Sequence, residues 1–193
     1  MARSAMARGS GLDRAAVVAA AAAIADAEGL EALTLGALAE RLGIRAPSLY
    51  NHVAGLAGLR RELTLLGLQQ MTARLGTAIM GKSGAQAVLA LAEAYRAYVT
   101  EHPGVYATTL RATAPDDQAL QQVSQRLIEL VLAALSAYAL HDDDAIHAVR
   151  GLRSLVHGFA SLEAAGGFGM PLDRDESFRR LIATFVAGLE QTK

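Results

Sequence analysis

Residues 34–53, TLGALAERLGIRAPSLYNHV, constrain this chain most, because they spell two short helices that must cross closely. Leu35, Leu38, Ala39 and Leu42 recur at helical spacing, and Thr34 is placed to cap that helix by accepting a backbone N–H. Gly43 ends it, since the residue just past a helix terminus often needs a positive φ. The small Ala39 before that turn and the apolar Leu49 after it let the second helix pack tightly on the first. Pro47 suits the first turn of the second helix, where its missing N–H matters least. Ser48, Tyr50, Asn51 and His52 then surround the inward Leu49 and Val53. They form a short polar face able to reach phosphates and base edges in a major groove.

With these residues in view, residues 12–62 resemble the N-terminal domain of the TetR family of transcriptional regulators. The signature is Leu49-Tyr50-Asn51-His52-Val53, preceded by Ala39 and Gly43 and followed by a helix from about Ala54. The resemblance implies one helix before the helix-turn-helix, and Asp13 can cap such a helix running through Ala27. It also implies that Thr34, Ser48, Tyr50 and His52 meet DNA, with Arg45 and Ala46 at the edge. The expected DNA-binding set is therefore Thr34, Arg45, Ala46, Pro47, Ser48, Tyr50, Asn51 and His52. Leu56 departs from the pattern, because family members commonly carry a phosphate-binding Lys there. Arg60 and Arg61, a turn further on, are the expected compensation.

Charge bears on this reading. The net charge of −1 does not by itself suggest a nucleic-acid binder, but its distribution does. Residues 1–61 hold seven Arg against five acids, and the remainder holds eleven Lys/Arg against fourteen acids. A weakly basic head on an acidic body fits a DNA-facing N-terminus. Cysteine is absent, which excludes disulfides and thiolate metal sites and is compatible with a reducing cytoplasm. The apolar run 15–25 behind Arg3 and Arg8 has the outline of a secretory signal. Its flanks Asp13, Arg14, Asp26 and Glu28 argue against that, and Val17, Ala20, Ile24 and Ala27 share a helical face. No other run approaches a membrane span. Residues 1–11 read as an arm.

The rest reads as all-α. Helices are expected from Ala54 to Ile79, from a Ser83/Gln86 capping box to His102, near 105–111, from Asp116 to Ala139, from Asp142 to Ala165, and from an Asp173/Glu176 capping box to about Glu190. His102-Pro103-Gly104 reads as a stop. Residues 155–172, LVHGFASLEAAGGFGMPL, resemble a TetR subgroup named for a Trp-His-Gly signature, with Val156 at the Trp position. The chain thus divides into a helix-turn-helix domain at 12–60 and a helical effector and dimerisation domain at 61–193.

Gly151, Ser154, Gly158, Ser161 and Ala165 make a small-residue stripe that allows close helix approach. Phe178, Leu181, Ile182, Phe185 and Leu189 make an apolar stripe on the last helix. Paired with their twins, the two helices would form a four-helix bundle and a two-fold homodimer; use of both stripes within one chain is the alternative.

Motifs for catalysis are lacking: there is no nucleophile elbow, Walker loop or zinc-protease helix, so no enzyme and no cofactor are expected. Asp142–Asp144 beside His141 and His147 lack the EF-hand spacing and read as a helix start. The resemblance implies an effector cavity among the middle helices, for which Tyr95, Tyr98, Tyr106, Thr109, Arg111, His157, Phe159 and Met170 are candidates; plain core packing is the competing use of the aromatic residues. The expectation is a cytoplasmic, ligand-responsive homodimer that binds a pseudo-palindromic operator on double-stranded DNA and represses transcription. A helical small-molecule binder without DNA recognition is the rival.

Overall fold

The structure is a computed structural model that describes residues 12–191, and the described residues form helices without strands. The expected arm at 1–11 lies outside them. Asp13 Oδ1 accepts the Ala16 N–H at 2.7 Å and starts α1, Arg14–Glu28. Its buried face is Val17, Val18, Ala21, Ile24 and Ala25, whereas Ala27 is exposed. The stripe is rotated from expectation because α1 is covered by three helices, α2, Leu35–Leu42, α3, Gly55–Ile79, and α5, Pro103–Thr108.

Between α2 and α3, Gly55–Ile79, runs a 3₁₀ segment, Ala46–Asn51. The body continues with α4, Gly84–Glu101, then α5, α6, Gln118–Leu135, α7, Asp142–Ala164, and α8, Arg174–Gln191. Helix α4 is the central mast and packs on α3, α5, α6, α7 and α8. Leu91, Ala92, Tyr95, Tyr98 and Val99 are accordingly all buried.

Two cores result. The head core gathers Val17, Ile24, Leu33, Leu38, Leu49, Leu59 and Leu63, together with Val105 of α5. The body core joins Met71 and Leu75 of α3 to Leu91, Leu152, Phe178 and Ile182. Each fully buried Leu among these contributes about 1.5–3 kcal/mol. The expected division at 60/61 falls inside α3, a continuous helix of 25 residues that feeds both cores. A rigid rod, and Val105 that α5 inserts into the head core, therefore connect head and body.

Several helix ends differ from expectation. Ser83 makes no capping bond. Asp117, not Asp116, caps α6 through the Leu120 N–H. Helix α6 stops at Leu135 and tightens into a 3₁₀ turn at Ser136–Tyr138, because Ala139 adopts a left-handed conformation. The box before α8 partly holds: Asp173 Oδ1 accepts from the N–H groups of Asp175 and Glu176 at 2.8 and 3.2 Å. Among the described residues no single helix is long and apolar enough to cross a membrane.

Candidate nucleic-acid interface and effector cavity

Thr34 Oγ1 accepts the Ala37 N–H at 3.1 Å and caps α2. At the other end Gly43 takes φ +66°, and the N–H groups of Gly43 and Ile44 return to the carbonyls of Glu40 and Ala39. That left-handed turn is the reason for glycine here. The chain then leaves extended at Arg45 and enters the second element.

This element is tighter than the α-helix expected. The Ser48 N–H bonds to the Arg45 carbonyl and the His52 N–H to the Leu49 carbonyl, both at 2.9 Å with i→i+3 spacing. The segment is only six residues long, so no α-helical ladder is established, and a single i→i+4 bond, from the Val53 N–H to the Leu49 carbonyl at 3.0 Å, closes it. Leu49 is fully buried and Val53 nearly so, which plugs the segment into the head core. Tyr50 stands 64% exposed, and Thr34, Arg45, Pro47, Ser48 and Asn51 are exposed as well. Ala46 and His52 are half-buried. The side chains of Ser48, Tyr50, Asn51 and His52 have no hydrogen-bond partner among the described residues, so their polar groups are free for an outside ligand.

Arg61 does not replace the missing basic residue at Leu56. Its Nε and Nη2 donate to Asp117 at 2.5 and 2.7 Å, and its Nη1 to Glu62 at 2.9 Å. This fork holds the Asp117 carboxyl below the usual aspartate range. Arg14 and Arg41 are likewise paired, with Glu62 and Glu28. Arg45 and Arg60 are left as head cations without an acid partner among the described residues, and the Arg60 Nε is buried without any partner.

His102-Pro103-Gly104 stops α4 at Glu101 as expected, and it is also a joint. Pro103 opens α5 directly, and the Asp26 carboxylate of α1 caps it by accepting the Val105 N–H at 2.8 Å. His102 Nδ1 lies 2.9 Å from the other Asp26 oxygen. The two backbones touch at Gly104, where an added Cβ would fall 1.9 Å from the Ala25 carbonyl oxygen. Sequence reasoning missed this contact, for which the available signals were an acid ending an alanine run and a Gly where helix propensity disfavours one.

A cavity of about 350 Å³ lies between α3, α4, α6 and α7. Its walls are mostly apolar, including Leu68, Met71, Leu75, Leu127 and Val131. Of the expected effector contacts, Tyr95, Thr109 and Arg111 line it. The other five do not. Tyr98 donates to Gln70 Oε1 at 3.0 Å, and burial raises its pKa. Tyr106 lies behind the wall, its hydroxyl 3.2 Å from that of Tyr95 and 2.9 Å from His157 Nδ1, and burial raises its pKa too. Phe159 packs on Phe168 and Phe178 with the Arg96 guanidinium 5.0 Å from its ring. Met170 is 77% exposed on the turn before α8. Sequence reasoning missed the contributions of α3 and α6, whose apolar positions look alike until the packing partner is known.

On the outer face of α7, Ser154, Ser161 and Ala165 are exposed, and Gly151 and Gly158 half-buried. Leu181 and Phe185 of α8 are half-buried, the latter against Gly151. Phe178, Ile182 and Leu189 require correction as interface residues. They are at most 8% exposed and belong to the protomer's own core, because α8 turns that stripe towards α4 and α7.

Comparison with known proteins places these features. Residues 88–185 match the model of the tetracyclin repressor-like C-terminal domain. An uncharacterized HTH-type transcriptional regulator of Bacillus subtilis is 40% identical over 181 residues, covering 93% of each chain. A second, from Mycobacterium tuberculosis, is 35% identical and covers 96% of this chain and 85% of its own. Among solved structures, a protein of unknown function from Rhodococcus sp. RHA1 aligns with a TM-score of 0.78 at 25% identity, covering 94% of this chain and 97% of its own. A TetR protein from Acinetobacter baumannii AYE in complex with minocycline aligns with a TM-score of 0.69 at 24% identity, covering 94% and 98%.

Proposed function

Because the chain belongs to the TetR family of DNA-binding transcriptional regulators, which are not enzymes, we propose that it is a cytoplasmic homodimeric repressor released by a small-molecule effector. The observation that carries this reading is the tip at Ser48–His52: polar side chains without internal partners, on a segment that Leu49 pins into a core. Thr34, Ser48, Tyr50 and His52 would meet phosphates or bases, with Arg45, Ala46, Pro47 and Asn51 around them. A two-fold dimer would set two such tips about one DNA turn apart on a pseudo-palindromic operator. The small stripe of α7 with Leu181 and Phe185 of α8 would form the four-helix interface. His157-Gly158 supports the finer placement in the Trp-His-Gly subgroup, with buried Val156 at the Trp position.

Coupling follows from the two-core layout. The cavity is lined by Thr64 and Leu68 of α3 and by Thr109 and Thr113 beside α5. An effector there would bear on the rod and the joint that orient the head. It changes operator affinity only if it binds the two head orientations unequally. The minocycline held by the Acinetobacter protein supports a small-molecule role for such a fold.

The test is selection of binding sites from random duplexes, followed by quantitative footprinting. Tyr50→Phe and His52→Ala should weaken binding on every sequence, while Ser48→Ala and Asn51→Ala should alter base preference. Unchanged affinity in all four variants would refute the assignment of the tip.

A further inference from the structure

The mouth of the cavity carries three arginines and no acid. Arg111 comes from the connection between α5 and α6, and Arg150 and Arg153 stand three residues apart on one face of α7. Arg153 Nη2 donates to the Thr109 carbonyl at 3.2 Å, which fixes its guanidinium at the cavity edge. Among the described residues no carboxylate lies within 4 Å of any of the three. By contrast, Arg61, Arg74 and Arg96 on α3 and α4 are each held by carboxylates. The hydroxyls of Ser124 and Thr113 also face the cavity and have no partner among the described residues.

From this layout we infer that the cavity takes an amphipathic organic anion, its apolar body among Leu68, Met71, Leu75, Leu91, Leu127 and Val131, its charged head between Arg111, Arg150 and Arg153. The inference rests on the cavity being the effector site. Three like charges around an apolar mouth repel one another and any cationic ligand, and a single anion relieves both conditions. Guanidinium forks match carboxylate and phosphate alike, so the shared chemistry is an anionic head. A volume of about 350 Å³ is at the small end of ligand sites and admits one medium-length acyl or small aromatic body. The arginines are solvent-exposed, so screening limits the preference to about tenfold over a neutral head.

The experiment is calorimetric titration of the full chain with decanoate, decyl phosphate, decanol and decylamine. At least one of the two anions should bind about tenfold tighter than decanol, and decylamine should bind weakest; the ratio of decanoate to decyl phosphate identifies the preferred head. Arg150→Gln with Arg153→Gln should abolish the preference without changing decanol binding. Arg150→Lys with Arg153→Lys should retain most of it. Both substitutions lie on an exposed face of α7, and thermal melts verify folding. Equal binding of decanoate, decyl phosphate and decanol, an unchanged ratio in the Gln variant, or no binding by any probe would overturn the inference. Charge-selective binding that leaves operator affinity unaltered would support the anion site and refute its role as effector site.

Discussion

Replacing Gly104 by alanine tests whether the joint between α1 and α5 governs the assembly of head and body. The new Cβ would lie 1.9 Å from the Ala25 carbonyl oxygen, 2.1 Å from its carbon and 2.7 Å from the Asp26 nitrogen. All three are backbone atoms, and the Ala25 carbonyl already accepts the Gly29 N–H, so no rotamer change relieves the clash. Restoring an ordinary contact of 3.4 Å requires α5 to retreat by about 1.5 Å. That movement breaks the 2.8 Å bond from the buried Val105 N–H to Asp26 and loosens the contact to His102. It also draws Val105, now 1% exposed, out of the head core. A charge-assisted bond to a buried donor together with partial loss of a valine contact comes to about 3 kcal/mol. For a chain of this length the melting midpoint should fall by about 6–12 °C. The assay is thermal and urea unfolding by circular dichroism at fixed protein concentration, since dimerisation would shift both. Gly36→Ala is the control: this exposed helical glycine has only Thr34 Oγ1 nearby, at 3.8 Å, and the change should stabilise by up to about 1 kcal/mol. If Gly104→Ala proves as benign as Gly36→Ala, the close contact is not what joins the two cores.

Two further outcomes are expected. Arg96 donates to Glu163 at 2.6 and 2.8 Å, which holds that carboxyl below its ordinary value of 4.5. The resulting stability is complete above the ordinary glutamate range and is lost as pH falls through the lowered value. Urea midpoints measured from neutral into acid should therefore decline less in Glu163→Gln, which should already be about 1–2 kcal/mol weaker at neutral pH; parallel pH curves for the two proteins would contradict this. On the outer face of α7, Ser161→Arg should convert the proposed dimer to monomer in sedimentation velocity while leaving the helical signal intact, and a dimer persisting in the variant would move the interface elsewhere.

The legible parts of the sequence were those governed by neighbours in the chain. Thr34 and Asp13 could be identified as caps because a capping oxygen needs only the right offset, and Gly43 as a turn because a positive φ excludes most side chains. Leu49 and Val53 were recognisable as the buried partners of an exposed polar tip. Tyr98, Phe159 and Met170 were not recoverable in the same way. The aromatic type of the first two fits a cavity or a core equally, and the choice depends on which helices stand opposite, whereas Met170 stands exposed on a turn.

Local chemistry along the chain settled that it is helical, where most helices begin and end, and which short polar segment projects. It did so because caps, turns and the period of apolar residues act over only a few positions. Three-dimensional packing alone decided that α3 serves both cores, that Asp26 reaches residues 102–105 across the molecule, that Arg61 is held by Asp117, and that Phe178, Ile182 and Leu189 face inward. Those outcomes depend on the angles at which helices cross, and crossing angles arise from side chains far apart in sequence meeting at one place.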